Sequence, residues 1–169
     1  MLTIMALILM GRMILSVNTT TLDVGFTKDM SEYRITGTSL GTSMLEKASN
    51  LAFDEKSVDA EISATSALTA NGSLGKDAGE TTESTFDDID DYNNYVSIDT
   101  LTTSATFKSK VKVEYVTIAS NVISVSVSQQ YSKRMTVDVT SDYLVDYSID
   151  PPRPDTLRFQ QIFSYWYFR

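Results

Sequence analysis

The chain has no histidine and no cysteine, and its three prolines all fall between positions 151 and 154. Their absence excludes Ser–His–Asp and Cys–His nucleophilic catalysis and removes the usual ligands of zinc, copper and haem iron. An enzyme built from this chain would have to work with carboxylates, Lys, Tyr or Ser alone. The expectation is therefore a non-catalytic protein without a cofactor, calcium being the one ion left open. A chain without disulfides is compatible with either side of a membrane, so cysteine says nothing about compartment. Positive charge is also scarce: 14 Lys and Arg stand against 22 Asp and Glu, for a net charge of -8. Nucleic-acid binding needs clustered Lys and Arg to displace counterions, and no basic run exists, so no nucleic-acid partner is expected. Serine and threonine make up about a quarter of the residues, well above ordinary usage.

What is present begins with Met1 to Val17, an almost continuous apolar run broken by Arg12. It is slightly shorter than the about 20 residues of a spanning helix. It also lacks the basic n-region and small-x-small site of a signal peptide. Being apolar all round, it is expected to insert in a membrane or to be buried among copies of itself, with Met1, Met5, Leu9, Arg12 and Leu15 in the assembly surface. Beyond it, Phe26, Met30, Tyr33, Gly37, Leu40, Met44, Ala48 and Leu51 recur at gaps of four or three, the period of an amphipathic helix. Phe26 and Met30 extend the assembly surface. Nothing interrupts residues 1–53, which as one helix would reach about 80 Å, more than a small domain can bury. Asn18-Thr19-Thr20-Thr21 is the expected weak point, where β-branched side chains and Asn favour local unwinding.

Three segments follow from this patterning: a helix over 1–53 (apolar 1–17, amphipathic 22–53), a loop-rich connection over 54–106, and a β-sheet head over 107–169. The connection carries turn signals at Asn71-Gly72-Ser73 and Asp77-Ala78-Gly79, then the acidic run Phe86-Asp87-Asp88-Ile89-Asp90-Asp91-Tyr92. In the head, Val111, Val113 and Tyr115 alternate with Lys108, Lys110, Lys112 and Glu114, a half-buried strand. Ile123, Val125 and Val127 predict a second strand; Met135, Val137 and Val139, alternating with Arg134, Thr136 and Asp138, predict a third. Asp150-Pro151-Pro152-Arg153-Pro154-Asp155 is expected to be a stiff loop outside the ladder. Leu157 to Phe168, rich in aromatics, predicts a last strand covered on both sides.

The order of long apolar helix, acidic connection and short antiparallel sheet resembles that of type IV pilins and pseudopilins. Phe86-Asp87-Asp88-Ile89-Asp90-Asp91-Tyr92 is similar to the F-D-D-[VI]-D-D-[FY] stretch of pilin-like minor subunits. Tyr131 to Ser141 resembles their K-R-[MIV]-T-V-x-V-x-S strand, and Phe163-Ser164-Tyr165-Trp166-Tyr167 their closing segment. Met1-Leu2-Thr3-Ile4-Met5 matches the mature pilin start F-T-L-I-E at Thr3 and Ile4 but places Met5 where the pilin glutamate stands. In the family that glutamate is thought to pair with a neighbour's terminal amine during assembly, a device this chain lacks or replaces. The resemblance implies an α+β fold, a long N-terminal α-helix packed on a small antiparallel β-sheet. It also implies a structural subunit that self-assembles into a pilus-like filament at the cell surface, held in the inner membrane before assembly. The alternatives are an inner-membrane-anchored minor pseudopilin of a secretion system and a membrane-tethered, calcium-dependent binding module.

Asp87, Asp88, Asp90 and Asp91 are the most site-like residues. Hard oxygens at this density can ligate Ca²⁺; the competing expectation is an exposed, solvated turn whose Asp side chains cap backbone N–H groups. The EF-hand pattern fails, since Tyr92 and Asn93 stand where a ligand and a glycine are required. A carboxylate-pair hydrolase is disfavoured because an exposed knot would not raise a carboxyl for general-acid work. Arg12 either snorkels to a lipid headgroup or pairs with a carboxylate of an adjacent copy.

Overall fold

One unbroken helix, α1 (Leu2–Ala48), dominates the N-terminal part of the computed structural model, which describes residues 2–58, 60–100 and 105–167. Its 47 residues span about 70 Å at 1.5 Å per residue. The expected weak point at Asn18–Thr21 does not unwind. Thr19 donates to the Leu15 and Ser16 carbonyls (3.1 and 2.9 Å), Thr20 to Ser16 and Thr21 to Val17 (2.9 Å each). Thr27, Ser31, Thr38 and Thr42 repeat the pattern four residues back. Side chains that would otherwise compete with the helix are thereby satisfied inside it. The helix stops at Ala48, short of the expected 53, where Ser49 and Asn50 side chains donate to the Glu46 carbonyl (2.7 and 2.8 Å) and cap the end.

The fold is α+β. A short helix α2 (Glu55–Val58) and several single 3₁₀ turns lead to the strands β1 (Val96–Asp99), β2 (Phe107–Ala119), β3 (Val122–Val125), β4 (Ser132–Asp146) and β5 (Arg153–Ser164). The sheet is antiparallel with order β1-β2-β4-β5, and β3 pairs with the far end of β2. Val111 faces Val137 and Val113 faces Met135 across β2 and β4, so the two alternating patterns bury one common face. The opposite face is polar, with Arg158 held by Asp138 at 2.7 and 2.8 Å and Arg134 by Glu114 at 3.1 Å.

Three strand expectations need correction. The Ile123–Val127 segment forms only the four-residue β3, exposed at every position, because a two-residue turn at Ser120 and Asn121 (φ 50° and 64°) folds it onto the protruding tip of β2. The last strand is an edge, not covered on both faces: β5 runs half-exposed to Ile162 and ends at Ser164, followed by a 3₁₀ turn at Tyr165–Tyr167. Nor does the proline-rich loop stay wholly outside the ladder. Arg153 and Pro154 pair with Asp146 and Val145 past an irregularity after Thr140, and Pro is tolerated there because it lies at the start of an edge strand.

The head-facing side of α1 matches its stripe. Tyr33 and Leu40 are half-buried, whereas Gly37, Gly41, Met44, Leu45 and Ala48 are buried against β4 and β5. Phe26 packs edge-on against Tyr147, ring centroids 5.0 Å apart, and stays 49% exposed. Gly41 is required by contact: a Cβ there would overlap the ring of Phe159, and one at Gly37 would lie 2.8 Å from Leu157 Cδ1. Gly25 has open space. Gly41→Ala should therefore destabilise the head by about 1–2 kcal/mol. Gly25→Ala should stabilise the helix by up to about 1 kcal/mol. Thermal unfolding of the two variants should move in opposite directions; equal shifts would refute close packing at Gly41.

Candidate functional site

The residues after α1 and the acidic run are zipped together by the backbone. Ala52 N–H donates to the Asp87 carbonyl (2.9 Å) and Ile89 N–H to the Ala52 carbonyl (3.0 Å), forming an isolated parallel bridge between Ala52 and Asp88. A 3₁₀ turn over Asp90–Tyr92 then aims successive acids in different directions. Phe86 packs edge-on against Tyr92 and Tyr95 (5.1 and 5.2 Å), which anchors both ends of the run to the core. Asp88, Asp90 and Asp91 are consequently buried, and Asp87 alone stays exposed. The expected capping of backbone N–H groups by Asp88 and Asp91 is present, but the turn is not solvated, and with that falls the ground on which raised carboxyls were set aside.

The centre of this region is Lys133, fully buried on β4. Its Nζ donates to the Phe53 carbonyl (2.8 Å), to Asp54 Oδ2 (2.8 Å) and to Asp90 Oδ1, using all three donors. The ammonium also sits 4.6 Å from the Phe53 ring centre and 5.1 Å from that of Tyr115. Asp54 is further held by the Thr69 N–H (3.0 Å), the Thr69 hydroxyl (3.0 Å) and the Tyr115 hydroxyl (3.0 Å). Neither Lys133 nor Asp54 was foreseen as a site residue. The signal was present for Lys133: it shares the phase of Met135, Val137 and Val139 and so had to face inward.

One buried ammonium stands among four buried carboxyls, Asp54, Asp88, Asp90 and Asp91. Burial tends to raise the Asp54 carboxyl, but the charge and hydrogen bond of Lys133 outweigh it and hold Asp54 below the usual range. The other three go the opposite way. Burial, reinforced by Asp90, pushes Asp88 up to about 8. Burial pushes Asp91 up to about 8, helped by Glu80 and Asp88. Asp90 rises to about 7, because burial together with Asp54 and Asp91 exceeds the help of Lys133. Asp88 Oδ2 and Asp90 Oδ2 have no hydrogen-bond partner among the described residues.

The four sequence-predicted metal ligands therefore do not share one centre. Asp90 turns inward to Lys133, and Asp88 accepts the Asp91 N–H through Oδ1 (3.1 Å). Asp87 and Asp91 converge instead with Glu80, their ligand oxygens lying within 4.8 Å of one another. Glu80 was not singled out, since its contribution depends on a loop that returns to the acidic run. The arrangement can store protons near neutral pH or hold a hard cation.

The predicted assembly residues sit apart from this site. Met5, Leu9 and Leu15 are 70%, 66% and 65% exposed, Arg12 is exposed, and Met30 is half-buried; Met1 lies outside the described residues. No ion pair joins Arg12 to a carboxylate among the described residues. By length and composition α1 can cross a membrane. No family model matches the chain, and no curated protein or solved structure matches it at a significant level.

Two measurements test the buried cluster. Lys133→Met leaves Asp54 and Asp90 without their cation and should cost about 3–5 kcal/mol in unfolding free energy; a loss under 1 kcal/mol would refute the central role. The second concerns pH. Asp88, Asp90 and Asp91 titrate near 4 when unfolded and at about 7–8 when folded, so their stabilisation is complete at low pH and is lost as pH rises through that window. Asp54, lowered in the fold, loses its contribution only in acid and does not oppose this trend. In chelator, Tm should be higher at pH 5 than at pH 8. Asp88→Asn, which keeps the acceptor for Asp91, should flatten the slope.

Proposed function

We propose that this chain is a structural subunit that polymerises through the projecting half of α1 into a pilus-like filament outside the cell, after residence in a membrane. The supporting observation is the exposure of that half. Ile4, Leu7, Ile8, Met10, Met13 and Ile14 are each about 60–70% exposed, on every side of the helix, while the head is already filled by the other half. An apolar surface of this size on a lone helix calls for lipid or for other helices.

The back-bonded hydroxyls of Thr19, Thr20 and Thr21 support the same role. Each is satisfied by its own helix, so this stretch can enter an apolar bundle without stranding a donor. Burying the projecting residues at about 25 cal/mol per Å² would supply tens of kcal/mol gross, before the cost of ordering the subunits. Arg12 then pairs with a carboxylate of a neighbouring copy, since no carboxylate among the described residues pairs with it and a buried guanidinium needs one. The acid excess of the head keeps unassembled subunits apart in solution.

Removal of residues 1–21 should give a soluble monomer with the melting behaviour of the intact head, because residues 3–21 are all exposed and none belongs to the core. Negative-stain microscopy of the full chain after detergent removal should show filaments, and the truncated chain should show none. Filaments from the truncated chain, or a monodisperse full-length monomer without detergent, would overturn the proposal.

A further inference from the structure

Three side chains from separate parts of the chain meet at Lys133 Nζ, sealed from solvent: Lys133 and Asp54 are 0% exposed and Asp90 is 2% exposed. Nζ donates to Asp54 Oδ2 at 2.8 Å and to Asp90 Oδ1, so the nitrogen is held against two carboxyls at once. The rings of Phe53 and Tyr115 flank it, their centres 4.6 and 5.1 Å away. An amine fixed in this way cannot turn to water without unpacking the core around it.

The two carboxyls are held very differently. Asp54 accepts the Thr69 N–H and hydroxyl on Oδ1 (3.0 Å each) and the Tyr115 hydroxyl on Oδ2 (3.0 Å) besides Lys133, and these partners keep it ionised. Asp90 is held through Oδ1 alone, and its buried Oδ2 has no partner among the described residues. A buried carboxylate oxygen without a donor is costly, and the cost falls when that oxygen carries a proton or leaves. Burial raises the Asp90 carboxyl to about 7, so a neutral, electrophilic fraction exists near neutral pH. An amine, a neutral carboxyl in contact with it and a neighbouring carboxylate to take a proton are the parts that amide condensation requires.

We propose that Lys133 and Asp90 join in an intramolecular isopeptide bond, with Asp54 as the base that takes a proton from Nζ. Nζ passes one proton to Asp54 and attacks Asp90 Cγ. The Nζ–Cγ bond forms, the Cγ–Oδ2 bond breaks, and Oδ2 leaves as water, carrying its own proton and a second one from Nζ. An ammonium, a carboxylate and a carboxylic acid thus become a secondary amide, a neutral Asp54 carboxyl and one water, with no electron transferred and no co-reactant consumed. In solution, hydration of the charged amine and carboxylate opposes condensation. Here that hydration is already lost, and the reaction replaces two buried charges by neutral groups. Holding the groups in contact supplies the effective concentration. The cavity of about 320 Å³ that Asp90 lines with Leu68 and Thr69 can receive the water. The step happens once per chain, without turnover, and ties the acidic run to β4 across 43 positions. It is independent of whether the chain polymerises.

The test is peptide mass mapping of the full chain, purified folded in detergent, then denatured and digested with trypsin. Trypsin does not cut after an acylated lysine, so the bond should give one branched species joining residues 77–108 to residues 113–134. That species should be lighter by one water than the two peptides together, and fragmentation should place the branch between Asp90 and Lys133. This reading is made on the unaltered chain and needs no variant to fold. Lys133→Arg keeps the buried cation, and Asp54→Asn keeps the shape without the base; both should give only unlinked peptides. Full recovery of separate 77–108 and 113–133 peptides from the unaltered chain would overturn the proposal. So would a branch mapped to any residue other than Asp90, or a Lys133–Asp90 branch that persists in Asp54→Asn.

Discussion

The ammonium of Lys133 is the constraint on which the head depends. It is buried on β4, yet its acceptors come from the residues just after α1 (Phe53 and Asp54) and from the acidic run (Asp90), 79–80 and 43 positions away in the chain. Taking a charge out of water costs several kcal/mol, so the three segments must arrive together or not at all. Tyr115 joins β2 to the same point through Asp54 and Thr69. The connection between helix and sheet has little regular structure, and this polar centre supplies what a hydrogen-bonded ladder would otherwise provide.

Helix α1 is two objects in one element. From Tyr33 to Ala48 it behaves as the core helix of a small domain, with Gly37 and Gly41 letting Leu157 and Phe159 approach the backbone. From Thr3 to Val24 every residue is exposed, and as far as Val17 the side chains are apolar nearly all round. The two halves make opposite demands on their surroundings, and the hydroxyl back-bonds of Thr19 to Thr21 keep the join helical where composition alone favours a break. A rigid join fixes the direction in which the head is carried, which matters for any assembly that stacks heads around a bundle of helices.

Acid excess has different consequences inside and outside. On the polar face of the sheet Asp138 meets Arg158 and Glu114 meets Arg134. Inside, four carboxyls share one lysine. This makes the connection, the least regular part of the head, also the part most sensitive to protons and cations.

Much of the fold was legible locally. The helix over residues 2–48, the face it buries from Tyr33 onward, and the inward sides of β2 and β4 all follow from periods of 3.6 and 2, which backbone geometry imposes residue by residue. The apolar character of the first 17 residues was equally plain. Other features were not. Strand β1 is only four residues long, and its alternating apolar residues Val96 and Ile98 face solvent; it exists because β2 offers it an edge. The acids at 88, 90 and 91 read as a wet turn, since nothing near them in sequence can neutralise them. Their burial, and the recruitment of Glu80, were decided only when a lysine on β4 and an aspartate beyond α1 came to the same place. Amphipathic periodicity is written in neighbouring residues, whereas the cost of burying a charge depends on partners that only the tertiary structure assembles.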